Sequence, residues 1–378
     1  MQLRAALKTG LETLLQNQVP SAQLAAELLL MDVLHCDRAF LYSNAEIEVP
    51  PEKTERYFLL VDLRSTGKPT QYITGHQEFW GLDFEVTPDV LIPRPETEHA
   101  VERVLELARR SGLGKDARLR IVDVGTGSGC IALALASELP RAILFGADIS
   151  RPALVVASRN AVRLGMPERV KFLESDLLAR FLDKDFLGTI DFVVSNPPYV
   201  GKRDIEMVQR EVRQFEPRIA WGGLERGDEI YARLFPQALE VLKPGGYVVV
   251  EIGYNMRDQV LALLGDDWKE IEVMPDLAGI PRVVSAKKRE SGVRSRVVGE
   301  GGSGTPERVC SGRIDLSYHY PCRSTKMWRG DNHVRTGRRG SYKASIAEFD
   351  RKSLQNREAD GSGRSEPKNG GRTIRDIL

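Results

Sequence analysis

Apolar residues recur at helical spacing from the start of the chain, at Leu3, Leu7, Leu11 and Leu14. They do so again at Leu24, Leu28, Met31 and Leu34, after a Val-Pro-Ser start signal. A third amphipathic run follows Val49-Pro50-Pro51-Glu52 and carries Tyr57, Leu60, Val61 and Arg64. This spacing predicts a small helical bundle over residues 1–70. The pattern then changes. In "QYITGHQEFWGLDFEVTPDVLI", residues 71–92, aromatic and β-branched residues crowd around Gly75 and Gly81, which predicts a strand pair joined by turns. Residues 71–94 read as a β-hairpin connector.

From 95 to 289 the pattern alternates. "RLRIVDVG", "AILFGADIS", "VKFLESD", "IDFVVSNPPY" and "GGYVVVEIG" read as strands, and three helical runs separate them: "GCIALALASEL", "RPALVVASRNAVRLG" and "YARLFPQALEVL". A helix near 256–264 and two closing strands, "KEIEVMP" and "RVVSAKK", complete the run. Strands separated by helices predict an α/β fold: a Rossmann-like, doubly wound, mostly parallel sheet of seven strands, with an antiparallel edge from the last two.

Composition adds the tail. The last 88 residues hold 13 of the 34 glycines, without periodicity, so residues 290–378 are expected to be a disordered basic tail. Residues 291–378 carry 18 Lys+Arg against 10 Asp+Glu, a balance of +8, leaving −7 on the rest. No stretch approaches the roughly 20 apolar residues of a membrane span. Four scattered cysteines without a CxxC pair argue against a metal site or a disulfide framework, so the expected address is the cytoplasm.

The candidate chemistry lies at successive strand ends. "VDVGTGSGC" sets Gly125, Thr126, Gly127, Ser128 and Gly129 between a strand and a helix, where glycines let backbone approach a ligand. A dinucleotide fingerprint would need Gly or Ala at 130, which is Cys130, and no Lys-Ser/Thr pair marks a phosphate loop. A compact G-x-G-x-G after Asp123 instead suits S-adenosylmethionine. Asp148, ending the second strand, can accept from two ribose hydroxyls; Asp176, after the third, can reach an adenine amino group, with Leu177 near the base. Each aspartate alone also reads as a turn or cap residue.

The fourth strand delivers Asn196-Pro197-Pro198-Tyr199 to the same rim. Proline fixes φ near about −65° and restricts the residue before it. Two prolines without N–H groups leave a stiff corner rich in acceptors. The Asn196 side-chain oxygen and the Pro197 carbonyl can take both N–H groups of a primary amide or aryl amine. That grip aims the nitrogen lone pair at an electrophilic methyl, so catalysis becomes positioning and electrostatics. Tyr199 offers a flat face for a planar group. The tetrapeptide suits an amide and a nucleobase equally. The acidic body is a poor platform for phosphate, although the basic tail could compensate.

These residues resemble the HemK/PrmC-type protein-(glutamine) methyltransferases. The matching stretches are "QYITGHQEFWGLDFEV", "VLIPRPETE", "DVGTGSGCIALALA", "SNPPYV", "FEP" at 215–217, "GGYVVVEIG" and "AGIPRVV". The resemblance covers residues 1 to about 288. It implies a class I S-adenosylmethionine-dependent methyltransferase domain over 95–289. Its substrate would be the glutamine of a Gly-Gly-Gln loop in a peptide chain release factor, docked by residues 1–70. By similarity, Gly125 to Gly129, Asp148, Leu177 and Asn196 contact the cofactor and Asn196 to Tyr199 hold the glutamine. Arg94, Pro95, Glu96 and Thr97 match a connecting motif as wall and support. A monomer without membrane partners is expected. A ribosomal-protein glutamine, an amino group in nucleic acid and a catalytically dead binding module remain the alternatives. Two features depart from the pattern: the loop at Leu224-Glu225-Arg226, and the tail.

Overall fold

The computed structural model describes residues 1–290, and the expectation of a disordered tail concerns residues outside them. Five helices come first: α1 (Leu3–Gln16), α2 (Ala22–Leu34), α3 (Arg38–Ser43), α4 (Pro51–Ser65) and α5 (Thr70–Thr74). The apolar stripes foreseen on α1 and α4 meet in one core that includes Leu3, Leu14, Tyr57 and Leu60. Helix α2 joins it through Ala22, Ala25, Ala26, Leu29, Leu30 and Val33 instead of the foreseen stripe, of which Leu24 is exposed, because a helix apolar on most sides leaves its inner face ambiguous. Helix α3 is too short to show a period; it is recognised by Asp37, whose side chain accepts from the Phe40 N–H. Helix α5 takes residues that the aromatic pattern assigned to the first strand of the hairpin. The strands themselves are shorter, β1 (His76–Phe79) and β2 (Leu82–Glu85), paired antiparallel.

Next come α6 (Glu98–Arg110), β3 (Arg120–Val124), α7 (Cys130–Glu138), β4 (Ile143–Asp148), α8 (Arg151–Arg163), β5 (Val170–Glu174) and β6 (Ile190–Ser195). A small subsidiary layer follows: β7 (Val200–Gly201), α9 (Arg210–Phe215), α10 (Arg218–Trp221) and β8 (Gly222–Leu224). The chain then forms α11 (Glu229–Val241), β9 (Leu242–Glu251), α12 (Arg257–Ala262), β10 (Trp268–Pro275) and β11 (Pro281–Lys288).

The sheet has seven strands in the order β10-β11-β9-β6-β3-β4-β5. β9, β6, β3, β4 and β5 are parallel, and β11 lies antiparallel between β9 and β10. The last strand therefore inserts inside the edge rather than forming it. All six residues of β6 are buried, as expected of a strand with helices on both faces. One apolar layer packs α6 and α7 against the sheet, and the other packs α11 and α12.

From β3 the chain moves outward through β4 to β5, then returns to β6 on the other side of β3. The order reverses between β3 and β6, and a crevice opens at the carboxyl ends of such strands. Ser195 Oγ donates to the Val124 carbonyl at 2.7 Å, which holds the two strand ends in step.

In the bundle, a Cβ at Gly10 would stand 2.1 Å from the Tyr57 hydroxyl oxygen. That hydroxyl is buried without a hydrogen-bond partner. Gly10→Ala should therefore lower stability by about 1–3 kcal/mol through overpacking. Tyr57→Phe should leave stability equal or higher, since it removes an unsatisfied polar group. Denaturant midpoints measured on both variants check the pair.

Candidate active site

The glycine loop is built by its neighbours as much as by itself. The N–H groups of Gly125 and Thr126 both donate to the Ala147 carbonyl, at 2.8 and 3.0 Å, so the turn is tied to the end of β4. Gly125 and Gly127 have φ of +71° and +54°, a region where side chains are strained. A Cβ at Gly127 would meet nothing within 4 Å, which marks backbone that borders open space. Gly129 is different. A Cβ there would lie 3.2 Å from Ala157 and Leu133, so this glycine serves helix packing and does not border the cavity.

Asp123 sits beneath the loop, buried. It accepts from the Thr126 hydroxyl at 2.6 Å and from the Ala132 N–H at 3.2 Å, through one oxygen. The other oxygen has no partner. Burial pushes its carboxyl up to about 7, against the pull of those two hydrogen bonds.

Asp148 holds the loop from the other side. One oxygen accepts from the Gly127 N–H and the other from the Ser150 N–H, both at 2.9 Å. The turn-residue reading and the ligand reading are thus compatible, because each carboxylate oxygen has a second lone pair. Asp176 lines the same cavity. One oxygen of its carboxylate pairs with Arg233 Nη2 at 2.5 Å, and the other is not part of that pair. Leu177 adopts φ +52° and lines the cavity.

At the end of β6, Asn196 Nδ2 donates to Thr97 Oγ1 at 3.0 Å. No donor among the described residues takes the Pro197 carbonyl. The Asn196 carbonyl oxygen lies 3.9 Å from the place of a Gly125 Cβ, so corner and loop face each other across the switch point. Pro197 and Pro198 line the cavity; Tyr199 does not. Its ring packs inward, beside Gly253 and Met256, because the α11–α12 layer offers it apolar contact. Tyr199 is only partly buried, and it packs on both the α11–α12 layer and the cluster formed by Val200, Val208, Val212 and Trp221.

The cavity measures about 320 Å³. Its far wall comes from α10 and β8, through Ile219, Ala220, Gly222 and Leu224. A buried clamp secures that wall: Glu216 accepts from Arg94 Nη2 at 2.5 Å and from the Ile92 N–H at 3.1 Å. This joins the Pro-Arg-Pro stretch to the Phe-Glu-Pro stretch, two motifs far apart in sequence. The departing loop also finds a role. Glu229 accepts from the N–H groups of Arg226 and Gly227, and a Cβ at Gly227 would lie 2.4 Å from the Tyr199 carbonyl oxygen.

Pattern reading missed Asn160, which is buried on α8. Its amide donates to the carbonyls of Glu85 and Ser128 and accepts from the Glu85 N–H, tying the hairpin to the glycine loop. The only cue was a polar residue on an otherwise apolar helix face. Glu251 and Arg282, both buried, were likewise visible only as members of quoted motifs.

Comparison with known proteins decides the family. Models of the PrmC N-terminal domain and of the methyltransferase small domain match residues 5–75 and 110–224. The chain is 49% identical over 291 residues to the release factor glutamine methyltransferase of Koribacter versatilis (strain Ellin345), covering 77% of this chain and 100% of that one. The chain belongs to the release factor glutamine methyltransferases. It is 41% identical over 292 residues to that of Moorella thermoacetica (strain ATCC 39073 / JCM 9320), covering 77% and 100%. With that of Geobacter sulfurreducens (strain ATCC 51573 / DSM 12127 / PCA) it shares 40% over 275 residues, covering 72% and 92%.

The cofactor of this family is S-adenosylmethionine, and the crevice fits it. Two positive-φ glycines line it, acidic side chains rim it, and its volume lies in the usual range for small-molecule sites. Among the described residues, no helix is long and apolar enough to cross a membrane.

The raised carboxyl of Asp123 has a consequence for stability. Well below the ordinary value of 3.8 the group is protonated in folded and unfolded chains alike. Between the ordinary value of 3.8 and about 7, only the unfolded chain releases the proton, so folding loses stability as pH rises. The stability of Asp123→Asn relative to the parent should therefore climb over that window and level off above it. Urea midpoints across the pH series would show it.

Proposed function

We propose that the corner at Asn196 to Pro198 holds the glutamine of a release factor's Gly-Gly-Gln loop and presents its side-chain nitrogen for methylation. The observation that carries this reading is the Asn196 amide. Its Nδ2 is committed to Thr97, which leaves its oxygen, with the Pro197 carbonyl, as the pair of acceptors at the rim. A primary amide has two N–H donors and a delocalised lone pair. Two fixed acceptors hold both N–H groups, favour the pyramidal nitrogen and direct the lone pair. S-adenosylmethionine, when bound, supplies an electrophilic methyl on sulfur.

The residues that would hold that cofactor are Gly125, Thr126, Gly127, Ser128, Asp148 and Leu177, with Asn196 at the methyl end. The apolar α10 wall excludes water, which strengthens each hydrogen bond at the corner. The helical segment 1–70 docks the release factor, and its exposed Leu15, Phe40, Tyr42, Leu59 and Leu63 supply apolar contact surface.

Three assays test this reading. Purified release factor should accept labelled methyl, whereas a factor with its Gly-Gly-Gln glutamine replaced, and DNA, should not; methylated DNA would overturn the reading. Asn196→Ala should reduce turnover by at least about 100-fold while calorimetry shows cofactor affinity largely intact. Removing residues 291–378 should leave methylation of the purified factor unchanged, because the 291-residue match spans the whole of the Koribacter versatilis relative.

A further inference from the structure

The buried face of α4 runs at helical spacing from Tyr57 through Leu60 and Val61 to Arg64. The fourth member of that stripe is a cation, and it is 4% exposed. A charge that deep persists only with partners. Arg64 Nη1 donates to the Lys68 carbonyl at 3.1 Å, just past the end of its own helix. Its Nη2 reaches out of the bundle and pairs with Glu211 on α9 at 2.9 Å. The turn after α4 meets α9 as well. Gly67 has φ +97°, and a Cβ there would stand 3.7 Å from Gln214 and Phe215.

Helix α9 is tied in turn to the wall of the crevice. Val212, next to Glu211, shares a small apolar cluster with Trp221 of α10, and Leu91 of the cavity lining packs against it. Phe215 packs on the cluster that holds Val90 and Ala153, two more cavity residues. Glu216 follows at once and clamps Arg94 and the Ile92 N–H. Bundle, α9 and wall are therefore joined by contacts on consecutive turns of chain.

We propose that Arg64 is a positioning residue for the cofactor crevice, acting through Glu211 to fix α9 and the wall that α9 carries. The bundle is then part of the frame of the cofactor site, beyond its docking of a release factor. The proposal rests on the placement of S-adenosylmethionine in this crevice. Removing either partner leaves the other charge buried and unpaired, and that charge is relieved when α9 parts from the turn after α4 and admits water. Such a shift draws Val212, Phe215 and Glu216 along and displaces the wall. The glycine loop and Asp148 are held by other bonds and stay in place.

The test is calorimetric titration of S-adenosylmethionine into the full chain, with circular dichroism confirming folding at the titration temperature. Arg64→Met and Glu211→Ala should each weaken cofactor binding about tenfold, within the range of changes that act through a packed network. The Arg64→Met/Glu211→Ala double variant should bind no more weakly than the weaker single one, because one contact is lost in all three. Gly10→Ala disturbs the bundle at Tyr57, about two helical turns from Arg64, and should bind like the parent. That control separates positioning from a general loss of bundle stability. Parent-like affinity in folded Arg64→Met, additive losses in the double variant, or an equal loss in Gly10→Ala would overturn the proposal. Glu211→Ala, which alters the more exposed partner, decides alone if Arg64→Met does not fold. Parent-like binding by Asp148→Ala would sink the placement of the cofactor and this inference with it. Weakened binding there beside a normal Arg64→Met sinks only this inference.

Discussion

Two adjacent parallel strands whose chains depart in opposite directions cannot both be covered by the loops that follow them. That constraint governs this molecule at β3 and β6, where the strand order reverses. The Ser195 hydroxyl bond to the Val124 carbonyl keeps the two ends level. The glycine loop and the Asn-Pro-Pro corner thus open on one crevice from opposite sides. The proposed cofactor and substrate sites thus lie next to each other because of the winding of the sheet, before any side chain is considered.

Around that crevice the protein holds its polar groups by over-determination. The glycine loop is tied by the Ala147 carbonyl, by Asp148 and, through Ser128, by Asn160. The Asn-Pro-Pro side is tied by Thr97 and by the Arg94–Glu216 clamp. Rigidity of this kind matters when catalysis consists of aiming a weak nucleophile, since small displacements are costly. Two carboxyls, Asp123 and Glu251, are buried under the two halves of the site, each with one unpartnered oxygen and each raised toward neutrality. Burying acids in this way lowers stability at neutral pH. An ionised Asp123 can only accept, which assigns the direction of the Thr126 hydroxyl bonded to it.

Local periodicity carried much of the architecture into the sequence. The apolar spacing on α1 and α4 and the alternation of strands with helices depend on contacts within each element, so they are visible in short windows. The glycine run and the Asn-Pro-Pro corner were legible for a related reason. Positive φ, missing N–H groups and strand-ending carboxylates are backbone requirements, and few residue types satisfy them. Short elements were not legible: α3, α9, α10, β7 and β8 have too few residues to show a period.

What the sequence determined by itself was which elements form and which residues emerge at strand ends, because those follow from local backbone chemistry. Only the tertiary structure decided the partners. It packed Tyr199 beside Gly253, paired Asp176 with Arg233, inserted β11 between β9 and β10, and brought Thr97 to Asn196. Each of these joins residues distant along the chain or settles a competition between two possible partners. Such outcomes depend on packing and on burial of charge, and no window of neighbouring residues contains them.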